Sequence, residues 1–206
     1  MRNRSENQIT LVIIRHGETK SNREHRYLGK TDELLSEEGK EELTEQGKLG
    51  AYPSVDILFT SPMKRCIQTA DILYPGVSAV PVEEWTEMDF GAFEGKNYFE
   101  LRGDERYQTW IDSNGMLPFP GGESREDFIL RCEKGFCRIQ REVAKREGKE
   151  EIERIGLVVH GGTIMALMSR YRGGEYFDYQ VGNGRGYICM VKDFEGKPEI
   201  TEVKKI

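Results

Sequence analysis

The chain contains no stretch approaching the run of about 18 apolar residues that a membrane-spanning helix needs, so no membrane is expected as its site of action. Its first ten residues are polar, carry Arg2 and Arg4 and hold no apolar segment, which leaves a secretory leader unsupported and makes the cytoplasm the expected location. The four cysteines, Cys66, Cys132, Cys137 and Cys189, show neither C-x-x-C spacing nor a histidine beside them, so no zinc or other metal site is expected. They read as buried or half-buried thiols of a reducing compartment. No window combines a basic stripe with interleaved aromatics, and the net charge is −6, which disfavours nucleic acid as a partner. An anionic substrate would have to be attracted locally.

Hydrophobic residues make up 37% and charged residues 32% of the 206, the balance of an ordinary globular protein with a heavily charged surface. One domain over residues 1–206 is expected. A β-branched apolar run at 9–14 reads as a strand buried on both faces and ends on Arg15-His16-Gly17. Helix is expected at 36–49, strand at 56–60, and a helix from Pro62 to about Leu73, with the proline in its first turn. A strand at 77–82, an acidic and glycine-rich loop at 83–95 and one or two short helices at 97–112 follow. Residues 115–122, with two prolines and three glycines, must be loop, so 97–122 forms a helical and loop subregion. Ser124 opens a long helix to about Glu147, with Glu126 and Asp127 placed to complement its dipole. A strand at 155–159 ends on His160, a helix runs over 162–171, and two strands at 186–191 and 199–203 flank the turn Glu195-Gly196-Lys197-Pro198. Strands alternating with helices predict an α/β sandwich with a mostly parallel sheet.

Ligands of open α/β sheets bind beyond the carboxyl ends of the strands, where helix N-termini present N–H groups to anions. Two of the three histidines fall at such ends, each beside glycine: His16 before Gly17, and His160 before Gly161 and Gly162. Those glycines would let backbone approach a ligand. As strand-end side chains facing solvent, the histidines would contribute little to the core. Arg15 and Arg65 could grip a phosphoryl group from two sides, since its oxygens match a guanidinium fork. Thr19 and Asn22 could add neutral donors, although each suits a cap or turn equally well. Glu87 sits among aromatics that could desolvate its carboxyl and raise its pKa, as a proton donor to a leaving oxygen requires.

Arg15-His16-Gly17-Glu18-Thr19 followed by Asn22 resembles the signature of the histidine phosphatase superfamily, the phosphoglycerate mutase-like proteins. Further matches come in the family's order: Gly29, Asp32, Leu35 and Gly39; Thr60-Ser61-Pro62-Met63-Lys64-Arg65 with Gln68-Thr69-Ala70; Glu87 with Gly91, Glu94 and Gly95; Gly121-Gly122-Glu123-Ser124; and Val159-His160-Gly161-Gly162. The resemblance implies a three-layer α/β/α sandwich around a mainly parallel six-stranded sheet. It implies His16 as nucleophile, Arg15 and Arg65 as phosphate ligands, His160 as a second pocket histidine, Glu87 as acid/base and Asn22 as a further phosphate ligand, with Gly17, Thr19 and Gly161 lining the substrate site. The partner would be a small phosphorylated molecule, and no cofactor is called for.

Within that family a phosphatase is expected, resembling α-ribazole phosphatases and broad-specificity phosphatases. The mutase alternative shares the first half-reaction, but its members commonly carry an arginine directly after the acidic glutamate, and here that residue is Met88. A silent phosphate-binding module on the same fold is the third reading. Aromatics of the subregion, Tyr98, Phe99, Tyr107, Trp110 and Phe119, could receive a ring or fill a small core of their own. His25, near the nucleophile loop, reads as an exposed residue within reach of substrate.

Overall fold

A computed structural model describes residues 8–146 and 151–206. Residues 1–7, most of the polar start, and Glu147, the expected end of the long helix, lie outside the described residues.

Six strands form one sheet in the order β3-β2-β4-β1-β5-β6, where β1 is Ile9–Arg15, β2 Ile57–Thr60, β3 Ala79–Pro81, β4 Arg154–Val159, β5 Gly186–Lys192 and β6 Glu199–Lys205. β3, β2, β4 and β1 run parallel to one another, whereas β5 pairs antiparallel with β1 and β6 antiparallel with β5. The sheet is therefore mixed, mostly parallel with an antiparallel edge. β1 and β4 are central, and their apolar runs are sealed on both faces. Leu11, Ile13, Leu157 and Val159 belong to one hydrophobic cluster, Val12, Ile14 and Val158 to another.

The helices are α1 Lys20–Arg23, α2 Glu37–Lys48, α3 Lys64–Leu73, α4 Glu105–Asp112, α5 Arg125–Ala144 and α6 Gly161–Arg172. Cys66 and Ala70 of α3 join the cluster of Val12 and Ile14, while α5 and α6 cover the opposite face. Ser124 caps α5 by accepting from the Asp127 N–H, and Glu126 and Asp127 occupy its first turn. Pro62 does not open α3. That helix starts at Lys64, and its first N–H is capped from afar by Asp32 Oδ1 at 2.8 Å. The 97–112 stretch holds the single helix α4, and the short α1 was not foreseen. Of the cysteines, Cys66, Cys132 and Cys189 are buried but Cys137 is exposed, against expectation. No helix among the described residues is long and apolar enough to cross a membrane.

The buried stripe of α5, Phe128, Cys132, Gly135, Phe136, Ile139 and Val143, seats the helix on Trp85. The fully buried indole donates to the Cys132 carbonyl at 3.1 Å, and a Cβ at Gly135 would stand 2.4 Å from its Nε1. Two effects compete in Gly135→Ala: helix propensity favours alanine by about 1 kcal/mol, and overpacking a rigid core costs about 1–3 kcal/mol. Urea denaturation should show a net loss of up to about 2 kcal/mol, because a Cβ there meets the fully buried indole; raised stability would contradict this packing.

Candidate active site

The β1–β4 register pairs Arg15 with Val159, so the next residue on each strand is a histidine, and both leave the sheet at one edge. The His16 and His160 rings meet edge to face with centroids 5.2 Å apart. His16 Nδ1 donates to the Gly17 carbonyl at 2.7 Å, which leaves Nε2 with its lone pair free. The side chain is only 3% exposed and does not face open solvent. Burial first, then the charges of Arg65 and Arg15, hold its pKa well below the usual value. His160 is buried with Nε2 at 2.7 Å from Ser61 Oγ, and Cys66 Sγ lies 3.6 Å from the same nitrogen. A cysteine does stand beside a histidine in space, though none does in sequence. Burial followed by Arg65 depresses the His160 pKa as well.

Arg65 is fully buried. Its Nη1 donates to the Thr31 carbonyl at 2.8 Å and its Nη2 to the Gly29 carbonyl at 2.9 Å. The strap bearing those carbonyls is itself held, because the N–H groups of Gly29 and Thr31 both donate to Glu94 Oε1, at 2.9 and 3.0 Å. Arg15 Nη1 donates to the Val181 carbonyl at 2.8 Å. Among the described residues the Nε of each arginine is buried without a hydrogen-bond partner, so each remains a donor for an acceptor placed in the site.

Glu87 is 8% exposed; its Oε1 accepts the Met88 N–H at 2.9 Å, and the carboxyl group also takes the N–H of Gly162 at the start of α6. Burial raises its pKa above the usual carboxylate value, opposed by those N–H donors and by Arg65 and Arg15. The neighbouring Trp85 takes no part, since its ring is turned into α5.

His16, His160, Arg15, Arg65 and Glu87 thus come together, while two other residues face elsewhere. Thr19 is fully buried; it caps α1 in a reciprocal box with Asn22 and does not reach the pocket. Gly17 gives its N–H to Thr69 Oγ1 at 3.0 Å, and a Cβ there would strike Leu43 at 2.5 Å, so its smallness serves the core. Gly161 lies against Arg15, whose Nε would be 3.5 Å from a Cβ there. Asn22 lines a cavity of about 680 Å³ with Arg15, Tyr27, His25 and Asn183. Asn183 was not anticipated. Its Nδ2 lies 2.9 Å from Asn22 Oδ1 and 3.1 Å from the His16 carbonyl, which engages the Asn22 oxygen and leaves the Asn22 amide N–H groups as donors. Only a polar residue between glycines just ahead of β5 could have signalled it. Tyr27 also borders a second cavity of about 340 Å³, beside Glu87. Trp110 and Phe119 line that space, whereas Tyr98 and Phe99 are exposed and lie against each other.

Residues 11–203 match the model of the histidine phosphatase superfamily (branch 1). The chain belongs to that superfamily. The match takes in the tail, which the motifs above did not reach. Among curated relatives, the uncharacterised phosphatase PhoE of Bacillus subtilis is 29% identical over 167 residues, 80% of this chain and 78% of that protein. A 2,3-bisphosphoglycerate-dependent phosphoglycerate mutase of Thermobifida fusca is 38% identical over 127 residues, 57% of this chain and about half (51%) of the mutase. In fold, the chain resembles the crystal structure of the α-ribazole phosphatase from Shigella flexneri, with a TM-score of 0.75 at 23% identity over 93% of this chain and 95% of that one.

Both pocket histidines have depressed pKa values, so the native state refuses protons that the unfolded chain accepts once pH falls below about 6.5. Stability should be intact well above that pH and fall as pH drops through about 6.5 toward 5, by up to about 1.4 kcal/mol per pH unit for each histidine. Denaturant titrations across this range, with NMR of the imidazole nitrogens, measure it; a stability indifferent to pH, with rings titrating near 6.5, would contradict the environment described.

Proposed function

We propose that the protein is a phosphohydrolase that cleaves small phosphate monoesters, α-ribazole phosphate or a sugar phosphate among them, through a covalent phosphohistidine on His16. The observation that carries this reading is the pair of buried, unpartnered guanidinium Nε groups in one site with an imidazole whose Nδ1 is engaged and whose Nε2 is free. The supporting frame is one domain over residues 1–206, a three-layer α/β/α sandwich with 97–122 over the site.

In the first step His16 Nε2 attacks phosphorus in line, the bond to the leaving oxygen breaks, and protonated Glu87 supplies the proton that makes it an alcohol. In the second, Glu87 takes a proton from water, the water oxygen bonds phosphorus, and the P–N bond returns its electrons to His16. Arg15 and Arg65 stabilise the equatorial oxygens in flight, with His160 and Asn22 as further donors. These guanidiniums supply the positive charge, which makes the reaction independent of metal.

A mutase is the second reading, favoured by the 38% identity to a mutase over part of the chain. It would return the phosphoryl group to a bound sugar acid and would have to exclude water. Against it, Met88 lines the cavity beside Glu87 at the position where mutases of this family commonly carry an arginine.

With chelator present throughout, brief exposure to a 32P-labelled phosphomonoester should label the wild type on histidine. His16→Ala should remain folded by circular dichroism, take no label and lose turnover by at least about three orders of magnitude. 3-Phosphoglycerate with catalytic 2,3-bisphosphoglycerate should give inorganic phosphate by NMR, slowly if at all, and little 2-phosphoglycerate; fast interconversion of phosphoglycerates with negligible phosphate release would replace this reading with the mutase. Activity in His16→Ala, or activity that needs added metal, would contradict the mechanism.

Glu87→Gln should slow hydrolysis of alkyl phosphates far more, by about 10²-fold or greater, than of p-nitrophenyl phosphate, whose leaving group needs no proton. Equal losses on both would leave Glu87 a phosphate-positioning residue only.

A further inference from the structure

Beyond Glu87 the site opens into the cavity of about 340 Å³, at the small end of the range for ligand pockets. Its walls are apolar, contributed chiefly by Met88, Phe90, Trp110, Phe119, Tyr176 and Phe177. One cation lines it, Arg125 at the first turn of α5. The guanidinium lies over two rings, 5.6 Å from the Tyr176 centroid and 5.3 Å from that of Phe177. Its Nη2 is anchored by the Asn114 carbonyl at 3.2 Å, the Gly115 carbonyl at 2.9 Å and Met116 Sδ at 2.8 Å. Among the described residues no carboxylate pairs with it at ion-pair distance. Other arginines of this protein, such as Arg23 and Arg26, do have such partners.

This arrangement costs more than a surface arginine, because a charge partly withdrawn from water has no counter-charge. It also fixes the plane and position of the fork, so little entropy remains to be lost when an anion docks on Nε and Nη1. Tyr176 separates it from the acid. The phenol oxygen donates to the Gly162 carbonyl at 3.3 Å, beside the Gly162 N–H that holds Glu87, and its ring faces Arg125. A molecule reaching from Glu87 to Arg125 therefore crosses an aromatic wall and ends at a cation.

We infer that Arg125 is the specificity-determining residue of this cavity, and that among the phosphate monoesters the site can cleave it favours those whose alcohol has a flat apolar body ending in a carboxylate. The inference rests on the phosphohydrolase reading for where the phosphate sits. It supplies from the start of α5 the cationic contact that Met88 withholds next to Glu87.

Calorimetry with two non-hydrolysable phosphonates separates this from the catalytic reading: 4-carboxybenzylphosphonate, and its methyl ester, which has the same body and no charge at that end. The wild type should bind the acid at least tenfold more tightly, and Arg125→Gln should bring the two within about twofold of each other. Equal binding by the wild type, or a preference that survives in Arg125→Gln, overturns the inference. If Arg125→Gln loses affinity for both ligands because the 114–116 segment is released, Arg125→Lys decides: a preference for the acid of threefold or more supports the inference, and none overturns it. If the preference holds but no phosphomonoester is turned over, the phosphohydrolase reading fails alone. If p-nitrophenyl phosphate is hydrolysed and the wild type shows no preference, the specificity inference fails alone.

Discussion

The register between β1 and β4 is the constraint on which the rest of this structure depends. Arg15 stands opposite Val159, and the His16 N–H donates to the Val159 carbonyl at 2.9 Å, which places the two imidazoles together at one edge. A slip of one residue would send Ile13 and Leu157 to the wrong face and carry the histidines out of line. The slip is forbidden by burial, since both faces of both strands are filled by separate hydrophobic clusters. On the far side of β1, the antiparallel β5 fixes where the preceding loop lies, and so delivers the Val181 carbonyl to Arg15 and Asn183 to the pocket. Packing in the sheet thus determines chemistry at its edge.

The two arginines of the site, Arg65 buried and Arg15 half-buried, are held in a way that preserves their charge. Carbonyl dipoles anchor them, whereas exposed arginines are matched with carboxylates, as Arg23 is by Glu18 and Glu38. A carboxylate partner would cancel the field needed by an anionic ligand; a carbonyl fixes direction without cancelling it. A protein of net charge −6 can in this way keep a local positive potential. The same field, added to burial, lowers the His16 pKa and so favours the neutral imidazole that the proposed nucleophilic role calls for.

Much of this was legible in the sequence where the signal is local. The β-branched runs of β1 and β4, the Ser124 cap and the acidic first turn of α5 are short-range patterns, and the structure follows them within a few residues. The direction of β5 was not legible, because pairing is decided by distant partners and the strand's own composition suits either sense. Thr19 and Gly17 were expected in the substrate site on motif grounds, yet one is occupied in capping α1 and the other packs on Leu43. Conversely Ser61, Glu94, Asn183 and Arg125 matter through contacts that only the fold creates: Ser61 and Glu94 stand in the matched motifs without a role of their own, only flanking glycines mark Asn183, and nothing local separates Arg125 from other polar residues of a heavily charged chain. Cys66 beside His160 is the same lesson in reverse, a proximity created wholly by the fold.

The strap at residues 29–32 ties parts of the molecule that would otherwise drift independently. Its carbonyls hold Arg65, Asp32 caps the helix that carries Arg65, and its N–H groups end on Glu94. Lys30 pairs with Asp89 at 2.5 Å. Glu94 and Asp89 belong to the segment that bears Glu87. The acid and the cation are therefore mounted on one chassis, and thermal motion that displaces either carries the other with it. Their separation is then set by one shared frame, so the Glu87 carboxyl and the Arg65 guanidinium keep a common reference that neither segment could supply alone.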